Sequence, residues 1–241
     1  MQSIFKRVSF CCIALAVSFG LFLITVNVAS YYNINFVSEL SLNQSLKPKI
    51  LVDAGHGGVD GGAVATDDTL EKDLNLKIAL KLENLLKFLG FDVVMIRQTD
   101  VSIHNDDAKT IRQKKISDLK NRLKLLDEGN CECLISVHMN MYSEEKYSGT
   151  QVFYGGKNEY SKILAEKIQT AVKYHLQQQN ERVIKESTKS IYILYNAKKP
   201  AVMVECGFLS NNNELLKLKD DTYQLKMAFC IADGLMDYKF G

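Results

Sequence analysis

Proline and excess charge are what this sequence has least of. Its 241 residues hold two prolines, Pro48 and Pro200, so no proline-rich linker divides the chain. The 30 Lys and Arg nearly balance the 28 Asp and Glu, and a net charge of +2 excludes the strongly basic face that nucleic acid requires. No repeat occurs at the periods of solenoids or propellers. Cysteines are present but supply no disulfide framework: two of the six, Cys11 and Cys12, lie in an apolar run. Of the others, Cys131 and Cys133 stand two apart on an expected strand and share a face, where a bond between such near neighbours is strained. A C-x-C without a second pair is a poor zinc motif, so these thiols, with Cys206 and Cys230, read as small hydrophobes.

Residues 8 to 30, "VSFCCIALAVSFGLFLITVNVAS", carry no charge, and Lys6 and Arg7 precede them. A run of about 20 apolar residues can cross a bilayer, whereas a secretory signal core is usually about 7–15. Residues 1–30 therefore read as a membrane anchor or a cleaved signal peptide, with "VNVAS" supplying small residues for cleavage. The basic pair stays in the cytoplasm and everything after residue 30 is exported. Residues 31–48 form a polar tether, and 49–241 are the expected exported domain, catalytic or binding.

From Lys49 onward strand-like and helix-like segments alternate. "KILVDA" is continuously apolar, as a strand buried on both faces must be. "LEKDLNLKIALKLENLLKFLG" places Leu74, Ile78, Leu82, Leu85 and Leu89 at helical spacing, with Gly90 suited to a helix end. "FDVVMIR", "ECLISVH", "TQVFY", "IYILY" and "AVMVE" read as further strands. "AKTIRQKKISDLKNRLKLLDEG", "SKILAEKIQTAVKYHL" and "TYQLKMAFCIADGLMDY" read as helices. The expected fold is α/β: a single three-layer sandwich around a mostly parallel sheet of about six strands.

Ligands of such sheets gather beyond the carboxyl ends of the strands. His56 follows the first strand, His138 ends "ECLISVH" and Glu205 ends "AVMVE". The glycines around His56 first suggest a phosphate cradle. But Gly55-His-Gly57-Gly-Val is followed by Asp60, so G-x-G-x-x-G fails, and no G-K-[ST] follows. A metal site is the alternative. His56 and His138 supply imidazoles, and Glu71, opening the first helix, supplies an oxygen. Two histidines and one glutamate, with a position left for water, form a catalytic rather than a structural zinc set. Glu205 is then the carboxylate that moves protons. Competing readings stay open: Glu71 as the back half of a capping box begun by Asp68, His138 as a core histidine, and Cys206 as a thiol nucleophile with His138 as its base. His104 and His175 read as solvated.

"ILVDAGHGGVDGGAV", "EKDLNLKIALKLENLL", "NRLKLLDEGNCECLISVHMN", "GTQVFY" and "PAVMVECGFLSNNNE" resemble, in order and spacing, the zinc-dependent N-acetylmuramoyl-L-alanine amidases, over residues 49 to about 237. The resemblance implies one Zn²⁺ per chain on His56, Glu71 and His138, and Glu205 as the catalytic glutamate. It implies an α/β/α fold, peptidoglycan as substrate, and hydrolysis of the amide between the lactyl group of N-acetylmuramic acid and L-alanine. The short chain with an N-terminal apolar segment resembles the spore-cortex, germination-specific subgroup, which implies stem removal leading to muramic-δ-lactam. That reading places the protein at the spore membrane–cortex interface and allows an activating protein partner. "HMNM" stands where many relatives have H-A-N-[AS], setting Met139 and Met141 beside the metal. Met139 to Gly149 is expected to form one wall of the groove. The alternatives are another zinc peptidase or deacetylase of the wall, or a non-catalytic wall-binding module.

Overall fold

The computed structural model describes residues 47–241 and, before them, Asn27. The N-terminal apolar segment and nearly all of the tether thus lie outside the described residues. Among the described residues, no helix is long and apolar enough to cross a membrane. Pro48–Gly241 forms a compact unit of its own.

The strands are β1 (Lys49–Ala54), β2 (Asp92–Met95), β3 (Cys133–Asn140), β4 (Gln151–Tyr154), β5 (Lys185–Glu186) and β6 (Ala201–Phe208). The helices are α1 (Glu71–Phe88), α2 (Ile111–Glu128), α3 (Glu159–His175), α4 (Tyr192–Asn196), α5 (Asn212–Lys219) and α6 (Asp221–Phe240). One six-stranded sheet has the order β2-β1-β3-β6-β4-β5. β2, β1, β3 and β6 run parallel, β4 is antiparallel to β6, and β5 is parallel to β4.

Alternation along the buried strands sorts side chains into two cores. Ile50, Val52, Ile135, Val137, Val202 and Val204 face the layer of α1, α3 and α6. Leu51, Leu134, Ala201 and Met203 face α2 and α4. The three-layer sandwich expected from the sequence is the observed one. Leu74, Ile78, Leu82 and Leu86 are the seam of α1, each fully or almost fully buried, and each such burial contributes about 1.5–3 kcal/mol. Leu89, expected on that stripe, is the C-cap residue and is exposed. The helix stops because Gly90, at φ +93°, lets its N–H reach Lys87 O while the Phe91 N–H reaches Leu86 O, a Schellman turn. α2 opens on a reciprocal capping box between Thr110 and Gln113.

Two local expectations fail, and one helix goes unanticipated. "IYILY" is not a strand; it contains the one-turn helix α4, and the edge position beside β4 belongs to Lys185–Glu186. Ile193 and Leu194 bury side by side against the second core, and Asn196 Nδ2 bonds back to Tyr192 O at 2.9 Å. So short an apolar run has no period that separates helix from strand. Cys131 precedes β3 and packs in the second core while Cys133 packs in the first, so they do not share a face. α5, announced only by Asn211 capping the N–H groups of Asn213 and Glu214, was not anticipated.

The sheet register positions the site. His138 pairs with Glu205, and Glu205 pairs with Gln151 on the other side. Directly opposed residues project from the same face, so these three side chains form a row on the α2 side of the sheet. A register shift between His138 and Asn140 follows at once. Such bulges at a sheet rim re-aim side chains.

Candidate metal centre

β1 delivers the chain to His56, which holds φ +62°. A side-chain-bearing residue in this region carries strain that its surroundings must hold. Two buried arginines do so. Arg97 donates to Ala54 O (2.8 Å) and Gly55 O (2.9 Å), and Arg122 donates to His56 O at 2.7 Å. Arg122 is itself fixed by Asp53 and by Asp118 (2.6 Å), and Ser136 Oγ donates to Asp53 Oδ2 at 2.6 Å. Burial would raise the Asp53 carboxyl, but the charges of Arg122 and His138 and the hydrogen bonds from Ser136 and Arg122 together outweigh it, and the group is held below its ordinary value. Neither arginine was anticipated, although Asp53 inside an apolar strand was a signal, since a buried carboxylate needs a cation.

The glycines make room. A Cβ on Gly55 would collide with the His138 ring, and one on Gly62, at φ +70°, would lie 2.5 Å from Glu71 Oε2 and 2.7 Å from the His56 ring. Side-chain bulk is missing here so that two imidazoles and a carboxylate can meet. Glu71 is the first residue of α1, and the N-cap Leu70 makes no side-chain cap bond, so the capping-box reading with Asp68 fails. Its carboxylate, almost fully buried, turns inward and accepts from Ala63 N (2.8 Å), Met139 N (3.2 Å) and Asn75 Nδ2 (3.2 Å). Glu71 Oε2 is 3.2 Å from His56 Nε2, and Oε1 is 2.9 Å from His138 Nδ1. One ligand atom from each of His56, Glu71 and His138 falls within 4.8 Å of the others, so the group could hold a metal ion. His56 Nδ1 lies 2.9 Å from Asp60 Oδ2, and Lys115 of α2 stands 3.3 Å from the same oxygen. A carboxylate on the far nitrogen orients an imidazole for a metal.

Charge here is closely balanced. Burial opposes protonation of His56, but hydrogen bonds to Asp60 and Glu71 outweigh it and raise the imidazole to about 9. Burial likewise opposes ionisation of Glu71, yet hydrogen bonds from His138 and His56 hold its carboxyl far below the usual range. Glu205 differs: burial pushes it up to about 7, with the His138 charge pulling it down and the Glu71 charge pushing it up. Its Oε2 is buried and has no hydrogen-bond partner among the described residues.

Cys206 is fully buried in the first core, and burial pushes its thiol well above the ordinary value, so it cannot serve His138 as a nucleophile. The Met139 side chain turns into that core and only its N–H faces the site, while Met141 is exposed, so Met139 does not border the metal. His104 and His175 lie outside the cluster, bonded to Ser102 Oγ (2.6 Å) and Asp233 Oδ2 (3.0 Å). Beyond Glu205, Tyr142 meets Tyr147 edge-on at 4.9 Å, and Tyr147 stacks on Phe208 at 6.3 Å. A concavity of ≈ 880 Å³ lies between the segment after α3 and α5 and reaches neither histidine of the cluster. A smaller one, ≈ 200 Å³, is lined by His56, His138, Lys115, Tyr192 and Met203. Donor chemistry, rather than volume, marks the second as the site.

Two imidazoles and a carboxylate beside an unpaired buried carboxyl make the donor set of a metal-dependent hydrolase on an α/β/α sandwich. Sequence comparison narrows the class. The family described as N-acetylmuramoyl-L-alanine amidase matches residues 50–237, and the chain belongs to that family. It is 35% identical over 211 residues to the germination-specific N-acetylmuramoyl-L-alanine amidase of Bacillus subtilis, covering 84% of this chain and 88% of that protein. The CwlD amidase of Clostridioides difficile, solved in complex with the GerS lipoprotein, superposes with a TM-score of 0.77 at 40% identity, covering 80% of this chain and 98% of that one. An N-acetylmuramoyl-L-alanine amidase of Clostridium difficile 630 superposes with a TM-score of 0.70 at 29% identity, covering 81% and 99%.

Proposed function

We propose that the chain is a zinc amidase of spore-cortex peptidoglycan, cutting the bond between the lactyl group of N-acetylmuramic acid and L-alanine. The convergence of His56, Glu71 and His138 within 4.8 Å, next to Glu205 in register with His138, carries this reading. The donors suit zinc, with the glycine cradle open around them and Asp60 behind His56. When bound, zinc lowers the pKa of water and polarises the substrate carbonyl. His56, Glu71 and His138 would hold it, and Asp60 would fix which nitrogen His56 presents. Glu205 accepts the proton of the attacking water and delivers it to the alanine nitrogen as the C–N bond breaks. The products are a lactyl carboxylate and a free stem peptide. A carboxyl near 7 is placed to do both. Tyr142 and Tyr147 form the groove wall on the β4 side.

The cortex role is supported by the similarity to the germination-specific enzyme, and leads to muramic-δ-lactam once a deacetylase follows. A protein partner is supported by the lipoprotein complex of the similar Clostridioides difficile amidase. Export through residues 1–30, as anchor or signal, with 31–48 as tether and 49–241 as catalytic domain, completes the proposal. The test is mass spectrometry of purified cortex sacculi digested with the full-length chain, with and without zinc. Free stem peptides on an N-acetylated glycan are expected; deacetylated glycan with stems attached would instead mark a deacetylase.

A further inference from the structure

Arg182 is a guanidinium without an acidic partner among the described residues, on the wall of the ≈ 880 Å³ concavity and bonded to Gln151 of β4. Its N–H donates to Asn180 Oδ1 (2.9 Å), its Nε to Ser148 O (2.8 Å) and its Nη1 to Gln151 Oε1 (3.0 Å). The guanidinium carbon lies 4.5 Å from the centre of the Phe208 ring. These contacts fix the head group, yet none uses Nη2, and no carboxylate among the described residues pairs with it. The other two buried-site arginines are satisfied: Arg122 by Asp53 and Asp118, Arg97 by backbone carbonyls. Glu214, whose charge Arg182 feels, is already engaged by the N–H groups of Gly149 (2.9 Å) and Phe208 (2.8 Å).

Its position suits the substrate. Gln151 opposes Glu205 across β4 and β6, so the two project from one face. Neighbouring strands lie about 4.8 Å apart, and one extended residue spans about 3.3–3.6 Å. Arg182, one hydrogen bond beyond Gln151, stands on the β4 side of Glu205, away from His138. A guanidinium with free donors is matched to a carboxylate, which it can grip bidentately.

We propose that Arg182 binds the free carboxylate of the stem residue following L-alanine and makes the enzyme selective for acidic stems. The inference rests on the amidase reading above. The test gives the full-length chain two muropeptides that differ only in whether that carboxylate is free or amidated. The wild type is expected to prefer the acid, and Arg182→Gln to lower the acid-to-amide ratio of kcat/KM about tenfold, through KM. Arg182→Lys is expected to keep much of the preference. A purely structural Arg182 would slow both substrates alike and leave the ratio unchanged, which overturns the proposal. If Arg182→Gln does not fold, the wild type decides, because equal use of acid and amide overturns it as well. Failure of the amidase reading looks different: neither muropeptide is cut at the muramoyl–alanine bond. The acid-to-amide ratio is then read from equilibrium binding to Glu205→Gln, where tighter binding of the acid supports the proposal and equal binding overturns it.

Discussion

Glu205 and His56 are opposed in what they ask of a proton, and that sets the first predictions. Glu205→Gln keeps the shape of the side chain but cannot accept the proton of water. Turnover is expected to fall by about 10²–10⁴-fold while zinc content, measured by atomic absorption, is unchanged. Asp60→Asn removes the carboxylate behind His56, and zinc affinity by chelator competition is expected to fall about 10–100-fold. The shifts of these groups also set a pH profile for the metal-free chain. Glu205 is raised from 4.5 to about 7 and His56 from 6.5 to about 9, so each binds its proton more tightly when folded. Stability from Glu205 is present below 4.5 and lost as pH rises through 7; that from His56 is present below 6.5 and lost through 9. Glu71, Asp60 and Asp53 are lowered, so their contribution disappears on acidification. Without metal, the melting temperature is expected to peak near about pH 5 and fall toward pH 9. Zinc should reverse the upper limb, because its ligands must be deprotonated. Melting curves in chelator and in excess zinc read both limbs.

α2 shows how one element reaches the site from a distance. It carries no ligand, yet Arg122 ties it to Asp53 and to the carbonyl of His56, and Lys115 ties it to Asp60. Arg122→Met leaves Asp53 buried and uncompensated, and a loss of about 3–5 kcal/mol is expected in urea unfolding. Adding Asp53→Asn should recover part of that loss, since the uncompensated charge is removed. α1 acts more directly: its seam of Leu74, Ile78, Leu82 and Leu86 anchors a helix whose first residue is Glu71. These elements were legible because their apolar spacing is long and regular. α4 was not, because a five-residue run buried on adjacent positions fits either period. Met139 and Cys131 were misplaced because the strand boundary decides which face a residue takes, and the boundary depends on pairing partners.

At the scale of the whole molecule, the unit Pro48–Gly241 has its own two cores on either side of one sheet. A chain beginning at Lys47 is expected to unfold in one cooperative calorimetric transition and to retain amide cleavage, which tests 49–241 as the catalytic domain. Zinc at a thousandfold excess over its dissociation constant should stabilise that unit by about 4 kcal/mol. The amino-acid order alone determined the alternation of buried strands and amphipathic helices, because burial period is a property of neighbouring residues. It also determined that His56 follows a strand and that Glu71 opens a helix, whereas β3 and β6 run on past His138 and Glu205 to Asn140 and Phe208. Only the tertiary structure decided that Glu71 turns inward, that glycines leave room for the rings, that Arg122 holds the strained loop, and that Arg182 stands beside Gln151. Those facts depend on distances between segments remote in the chain, which strand order and register set and local sequence does not encode.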